Sequence, residues 1–306
     1  MTSPLIFDRP LLRARRRRGL RLGPETFLLD RVAEDFADRL QVVRRRFDLA
    51  ADIGTPTAAV RAALLRNGAI GAMIALAPMA DAAWNLAGDP AAAAALRIVA
   101  DEEALPFAGD SLDLVVCGLV LQAVNDLPGV LVQIRRALKP DGLFLAALFG
   151  GDTLAELRQS FAVAESELDG GMSPRVAPFP DLRDMGALLQ RAGFALPVTD
   201  ADRVTVRYAT PFALLRDLRR MGATNPLVER RRVPLRRATL MRAMEVYAER
   251  FADPDGKVRA SFDIIWLSGW SPHHTQQQPL RPGSAKARLA DALGTAEIAA
   301  GEKPGR

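Results

Sequence analysis

The chain has 306 residues, 49% apolar and 25% charged, with a net charge of +5, which suits a globular protein with one large core or two moderate ones and excludes a fibrous or wholly disordered chain. Its single cysteine, Cys117, excludes an intrachain disulfide framework and any multi-cysteine metal site, and it points to a reducing compartment. No apolar run approaches the roughly 20 residues that cross a bilayer, so the expected location is the cytoplasm. The charge is uneven. Residues 1–46 carry twelve Arg against six acids, and residues 216–242 carry nine Arg against two. Such basic islands suit an anionic membrane surface, an acidic partner or a solvated face. Scarce aromatics beside them argue against base stacking, and no DNA partner is expected.

Residues 1–23 contain Arg13-Ala14-Arg15-Arg16-Arg17-Arg18 and little that packs, so they read as a mobile or partner-bound basic arm. A main domain is expected over 24–272, with a helical insertion at about 209–251 and a flexible tail over 273–306. Leu29, Val32, Phe36, Leu40, Val43 and Phe47 recur every three or four residues, which predicts one long helix lying across a sheet. Phe47–Gly54 reads as the first strand, 57–66 as a helix, 70–76 as the second strand, 78–86 as a helix and 90–95 as a turn. Leu96–Ala100, Leu112–Gly118 and Leu143–Phe149 are apolar runs without polar alternation, as in parallel strands buried on both faces. The amphipathic segment 127–138 predicts the helix between the last two. Asp152 is the expected N-cap of a helix carrying Leu154, Leu157, Phe161 and Ala164. Further helices are predicted at 181–191, 211–220 and 238–251, with strands at 204–208 and 260–270. Ligands of such a sheet sit beyond the carboxyl ends of its strands.

This order, with the acidic turn Asp101-Glu102-Glu103 before Leu105-Pro106-Phe107, resembles a class I S-adenosylmethionine-dependent methyltransferase. The resemblance implies an α/β, Rossmann-like fold with a seven-stranded, mostly parallel sheet and helices on both faces. It implies S-adenosylmethionine as cofactor, with Asp52, Gly54, Asp101, Glu102 and Gly118 as the residues expected at its site. The sequence departs from the family pattern at three places. Pro56 interrupts the glycine-rich turn and removes a donor, Ala75 stands where a ribose-binding carboxylate belongs, and Gln122-Ala123 stand where His and Trp are common. The expected site is therefore a degraded one.

Past the fifth strand, Leu148-Phe149-Gly150-Gly151-Asp152-Thr153-Leu154, Glu156-Leu157-Arg158, Gly170-Gly171-Met172-Ser173-Pro174 and Ala192-Gly193-Phe194, with Phe7-Asp8-Arg9 at the amino end, are similar to the complex I assembly-factor branch of that superfamily. The resemblance implies a protein that acts on, or escorts, an iron–sulfur subunit of respiratory complex I, with arginine hydroxylation as the chemistry of mitochondrial members. It also implies a place at the inner face of the inner membrane, touched peripherally through the Arg-rich segments. A guanidinium substrate calls for carboxylates. Asp152 and Glu156 are the catalytic candidates, with Glu165 and Glu167 behind them; as plain structure, Asp152 caps a helix and the others solvate one. His273 and His274 are adjacent and lack a spaced carboxylate, so no metal site is expected. Two rival readings stand beside this one. One is a non-catalytic scaffold that holds a partner with its Arg islands; the other is an active methyltransferase acting on a small molecule or an acyl thioester.

Overall fold

The fold was analysed in a computed structural model that describes residues 5–66, 68–80, 95–277, 291 and 293–295. Its strands are β1 (Phe47–Ile53), β2 (Ile70–Ala77), β3 (Leu96–Val99), β4 (Leu112–Gly118), β5 (Leu138–Gly150), β6 (Ala195–Tyr208) and β7 (Val258–Trp270). They form one sheet in the order β3-β2-β1-β4-β5-β7-β6. The first five in that row are parallel, and β7 runs antiparallel to both of its neighbours. This is the expected α/β arrangement of seven strands. The expected helix at 78–86 and turn at 90–95 fall largely on residues 81–94, outside the described residues.

The unbroken apolar strands feed two cores because successive side chains point to opposite faces. Leu114 and Val116 face one layer with α2 (Phe27–Val42), α3 (Ala59–Arg66), α5 (Ala155–Leu168), α7 (Pro211–Arg220) and α8 (Arg237–Phe251). Val115 and Cys117 face the other layer, with α4 (Leu127–Ala137) and α6 (Leu182–Arg191). The predicted stripe on α2 is buried at Leu28, Leu29, Val32, Phe36 and Leu40. The polar side of that helix reaches the edge strand, where Arg31 pairs with Asp202 at 2.6 Å and Arg39 with Asp200 at 3.0 Å. Burial drives the Cys117 thiol pKa upward, which leaves it an inert core group.

Four expectations change, the first being that β5 starts at Leu138 and not at Leu143, because Leu138 pairs with Leu112 of β4. Arg9–Arg21 is a helix, α1, not an unpacked arm: Asp8 caps it by accepting the Leu11 N–H at 3.0 Å, and Leu12 and Gly19 are buried. The Asn125 side chain accepts the Ile6 and Phe7 N–H groups at 2.9 and 2.8 Å, and Phe7 bridges to Leu227, so the helix is anchored at its start. A Cβ on Gly19 would lie 2.6 Å from the Arg220 carbonyl oxygen, so α1 crosses the end of α7 backbone to backbone. Strand β6 is longer than its expected span of 204–208, since pairing along β7 extends it back to Ala195. Asp152 is not a helix cap: α5 starts after Leu154, whose φ is 56°, and it has no side-chain cap. The Asp152 carboxylate instead accepts from Arg203 at 3.0 Å.

Residues 1–272 form one compact unit and 273–306 another. Within the second, His273 Nδ1 lies 2.7 Å from the Thr275 hydroxyl.

Candidate functional site

In the row β2-β1-β4 the connections run in opposite directions on either side of β1, so the carboxyl ends of β1 and β4 frame the crevice where such sheets take ligands. Gly54 ends β1 with φ of 72°, a backbone conformation that favours glycine. A Cβ there would lie 2.7 Å from Val120 Cγ2 and 2.8 Å from Glu102 Cγ. The Glu102 side chain therefore fills the space beside Gly54, and it is fully buried.

What makes a buried carboxylate tenable there is α1. Arg9, Arg13 and Arg16 are spaced four and three apart and share a helix face. Arg9 donates to Asp101 at 2.6 Å and also to Glu102; Arg13 donates to Asp101; Arg16 donates to Glu102 at 3.1 Å. Side-chain exposure is 11% at Arg9, 10% at Arg16 and 0% at Glu102, so these charges lean on one another and not on water. Burial opposes the Arg9 charge, but Glu102 and Asp101 outweigh it and raise that pKa. At Arg16 burial prevails and lowers it.

Burial alone would raise the pKa of Asp101, yet the Glu103 N–H and the Arg9 and Arg13 guanidiniums together hold it below its usual value. A carboxyl with a depressed folded pKa contributes stability that is complete above its unfolded value, roughly pH 4, and is lost as pH falls through the folded value. Amide hydrogen exchange across α1 is therefore expected to stay slow from neutral pH to about 5 and to speed up below pH about 4, after correction for intrinsic exchange. Release of α1 on raising the pH from 5 to 8 would contradict this assignment.

The other expected cofactor residues serve the strand ends. Asp52 is buried and pairs with the equally buried Arg61 at 2.6 Å, and it also accepts from the Thr55 hydroxyl. The Gly118 N–H donates to that same hydroxyl at 3.2 Å, so Asp52, Thr55 and Gly118 tie the turn after β1 to the end of β4. Ala75 is buried within β2, in register with Asp52.

The catalytic candidates lie apart from the carboxylates that α1 holds. Asp152 is exposed and shares Arg203 with Asp263. Glu156 accepts the Ser261 hydroxyl at 2.6 Å and its N–H at 3.2 Å, joining α5 to β7. Glu165 is buried on Arg175, with the Ser173 N–H at 2.8 Å, and Glu167 takes Arg242 at the surface at 2.7 Å. Among the described residues no group of three His, Cys, Asp or Glu side chains is placed to hold a metal ion. Trp266 is buried edge-on to Phe36, with Arg39 over its ring at 4.6 Å. Reading the chain in order missed Arg9, Arg13 and Arg16 as site residues. Their one-face spacing, opposite three consecutive acids at 101–103, was the available signal.

Beside Gly54 lies a cavity of about 670 Å³. The ends of β1, β4 and β5 floor it through Gly54, Leu119 and Phe149, and α1, α2, α5 and α7 wall it. None of Asp101, Glu102, Asp152 and Glu156 lines it.

Comparison with known proteins agrees with this layout. Residues 51–146 match the family model described as a methyltransferase domain. The human protein named arginine-hydroxylase NDUFAF5, mitochondrial, is 40% identical over 298 residues, covering 95% of this chain and 85% of that protein. A malonyl-[acyl-carrier protein] O-methyltransferase of Xylella fastidiosa is 40% identical over 175 residues, 57% of each chain. Among solved structures, a candidate methyltransferase from Bacillus halodurans superposes with a TM-score of 0.54 at 15% identity, covering 78% of this chain and 99% of that one, a likeness of fold alone.

Proposed function

Because the chain belongs to the arginine-hydroxylase NDUFAF5 family, we propose that it serves the assembly of respiratory complex I by acting on an arginine side chain of an iron–sulfur subunit. The observation that carries this reading is the 40% identity to the human relative over 95% of the chain. With α1 docked, the residues present do not fit S-adenosylmethionine. Ala75 offers the ribose no acceptor, and Arg9 and Arg13 occupy Asp101. No step of the reaction is therefore assigned to that cofactor. Asp152 and Glu156 remain candidates only if Arg203 and Ser261 release them.

The proposed place of action is the inner face of the membrane that holds complex I, reached through the basic islands. Among the described residues no helix is long and apolar enough to cross a membrane. A second reading, methyl transfer to an acyl thioester, is favoured by the malonyl-[acyl-carrier protein] O-methyltransferase relatives.

Deleting the gene is expected to lower assembled complex I and to leave one arginine of an iron–sulfur subunit without its added oxygen in peptide mass spectra. Full assembly with an unchanged arginine would refute the reading. Micromolar binding of S-adenosylmethionine in calorimetry would move the balance to the methyltransferase alternative.

A further inference from the structure

The cavity walled by α1 and α7 carries a charge pattern that the arginine-modifying reading does not use. Its surface is mostly apolar, with Leu28, Leu157, Phe161 and Leu215 among its walls, yet the charged residues that line it are six Arg and a single acid, Glu25. Glu25 is already taken by Arg220 at 3.0 Å. Arg16 and Arg175 are held from outside by Glu102 and Glu165. Arg15 and Arg219 have no such carboxylate. Among the described residues neither guanidinium has an ion pair, and Arg15 Nη1 is buried without a hydrogen-bond partner. An unpartnered buried donor on a cation is costly to leave dry, and an anion removes that cost. On α7, Phe212, Arg216 and Arg219 follow one another at spacings of four and three, all exposed and all lining the cavity, so they mark its mouth as an aromatic flanked by two cations.

From this arrangement we infer that the cavity binds a single-chain anionic amphiphile, an acyl chain bearing a carboxylate or phosphate, with the chain among the apolar walls and the head between Arg15 and the Arg216–Arg219 rim. The volume, about 670 Å³, falls within the roughly 300–1,000 Å³ of small-molecule sites. A guanidinium or other cation is repelled by the same residues, so this site is distinct from one that receives a substrate arginine. The inference does not depend on the arginine-modifying reading: it holds or fails on binding alone.

The test is isothermal titration of the full chain with dodecanoate, dodecyl phosphate, dodecanol and dodecylammonium, all below their micelle concentrations. Saturable binding of one or both anions, with dodecanol and dodecylammonium at least about tenfold weaker, is the expected result; which anion binds tighter identifies the head group. Arg15→Gln and Arg219→Gln are each expected to weaken the anions about tenfold and to leave dodecanol unchanged, while Arg15→Lys retains most of the binding. Circular dichroism of each variant separates lost binding from lost folding. Equal binding of dodecanol and dodecanoate, or no saturable binding of any ligand, would overturn the inference. Binding to phosphatidylglycerol vesicles without binding to monomeric dodecanoate would also overturn it, making the Arg face a membrane contact.

Discussion

Glu102→Ala is expected to destabilise the protein by about 3–5 kcal/mol, the usual cost of removing one partner from a buried charge network. The substitution strands Arg9 and Arg16, which are 11% and 10% exposed, and opens a gap beside Gly54. At this chain length the midpoint falls by about 1–2 °C per kcal/mol. The loss should localise first to α1, so hydrogen exchange there should accelerate before the sheet is affected. Glu102→Gln keeps the shape and can still accept from one guanidinium, so it should cost less than the Ala variant. Urea denaturation showing a change under about 1 kcal/mol for Glu102→Ala, with unaltered protection of α1, would mean that the helix is held by its Leu12 and Gly19 contacts alone.

Asp52→Ala is expected to cost a comparable 3–5 kcal/mol through a different mechanism. It leaves the Arg61 guanidinium in a dry interior, where Nε and Nη2 already lack partners. It also frees the Thr55 hydroxyl, which links the turn after β1 to Gly118. The pair Asp52→Leu with Arg61→Met should recover most of the loss, because packed apolar residues often equal or exceed a buried ion pair by about 1–4 kcal/mol. A double-mutant cycle measured by urea denaturation reads the coupling directly. A near-zero coupling energy would show that the two charges are stabilised separately.

Much of the fold was legible because it rests on short-range patterns. The three-or-four spacing of Leu29, Val32, Phe36 and Leu40 defines α2 without reference to anything else, and the unbroken apolar runs of β4 and β5 announce strands covered on both faces. The run from Gly150 to Arg158 pointed to the family that the 40% identity to the human relative shows. The candidate site was less legible. Glu102 was expected at a cofactor site, and Asp152 as a catalytic group or a helix cap. Their partners are Arg9 and Arg203, 93 and 51 residues away in the chain, and nothing local to either acid announces them. The arginines at 13–18 looked like a mobile or partner-bound arm because a charge run has no apolar stripe, yet a helix can bury arginine wherever carboxylates await it.

Periodicity was enough to define an α/β chain, and the resemblance carried by the short motifs was enough to place its family, because each depends on residues close together along the chain. Only the tertiary structure decided how the expected site residues are partnered. It put α1 over Asp101 and Glu102, paired Asp52 with Arg61, engaged Asp152 and Glu156 elsewhere, and left a cationic, apolar cavity beside Gly54. The physical reason is the range of the forces involved. Backbone and packing preferences act over a few residues, whereas a buried charge takes whichever opposite charge the fold brings within about 3 Å, however distant it is in sequence.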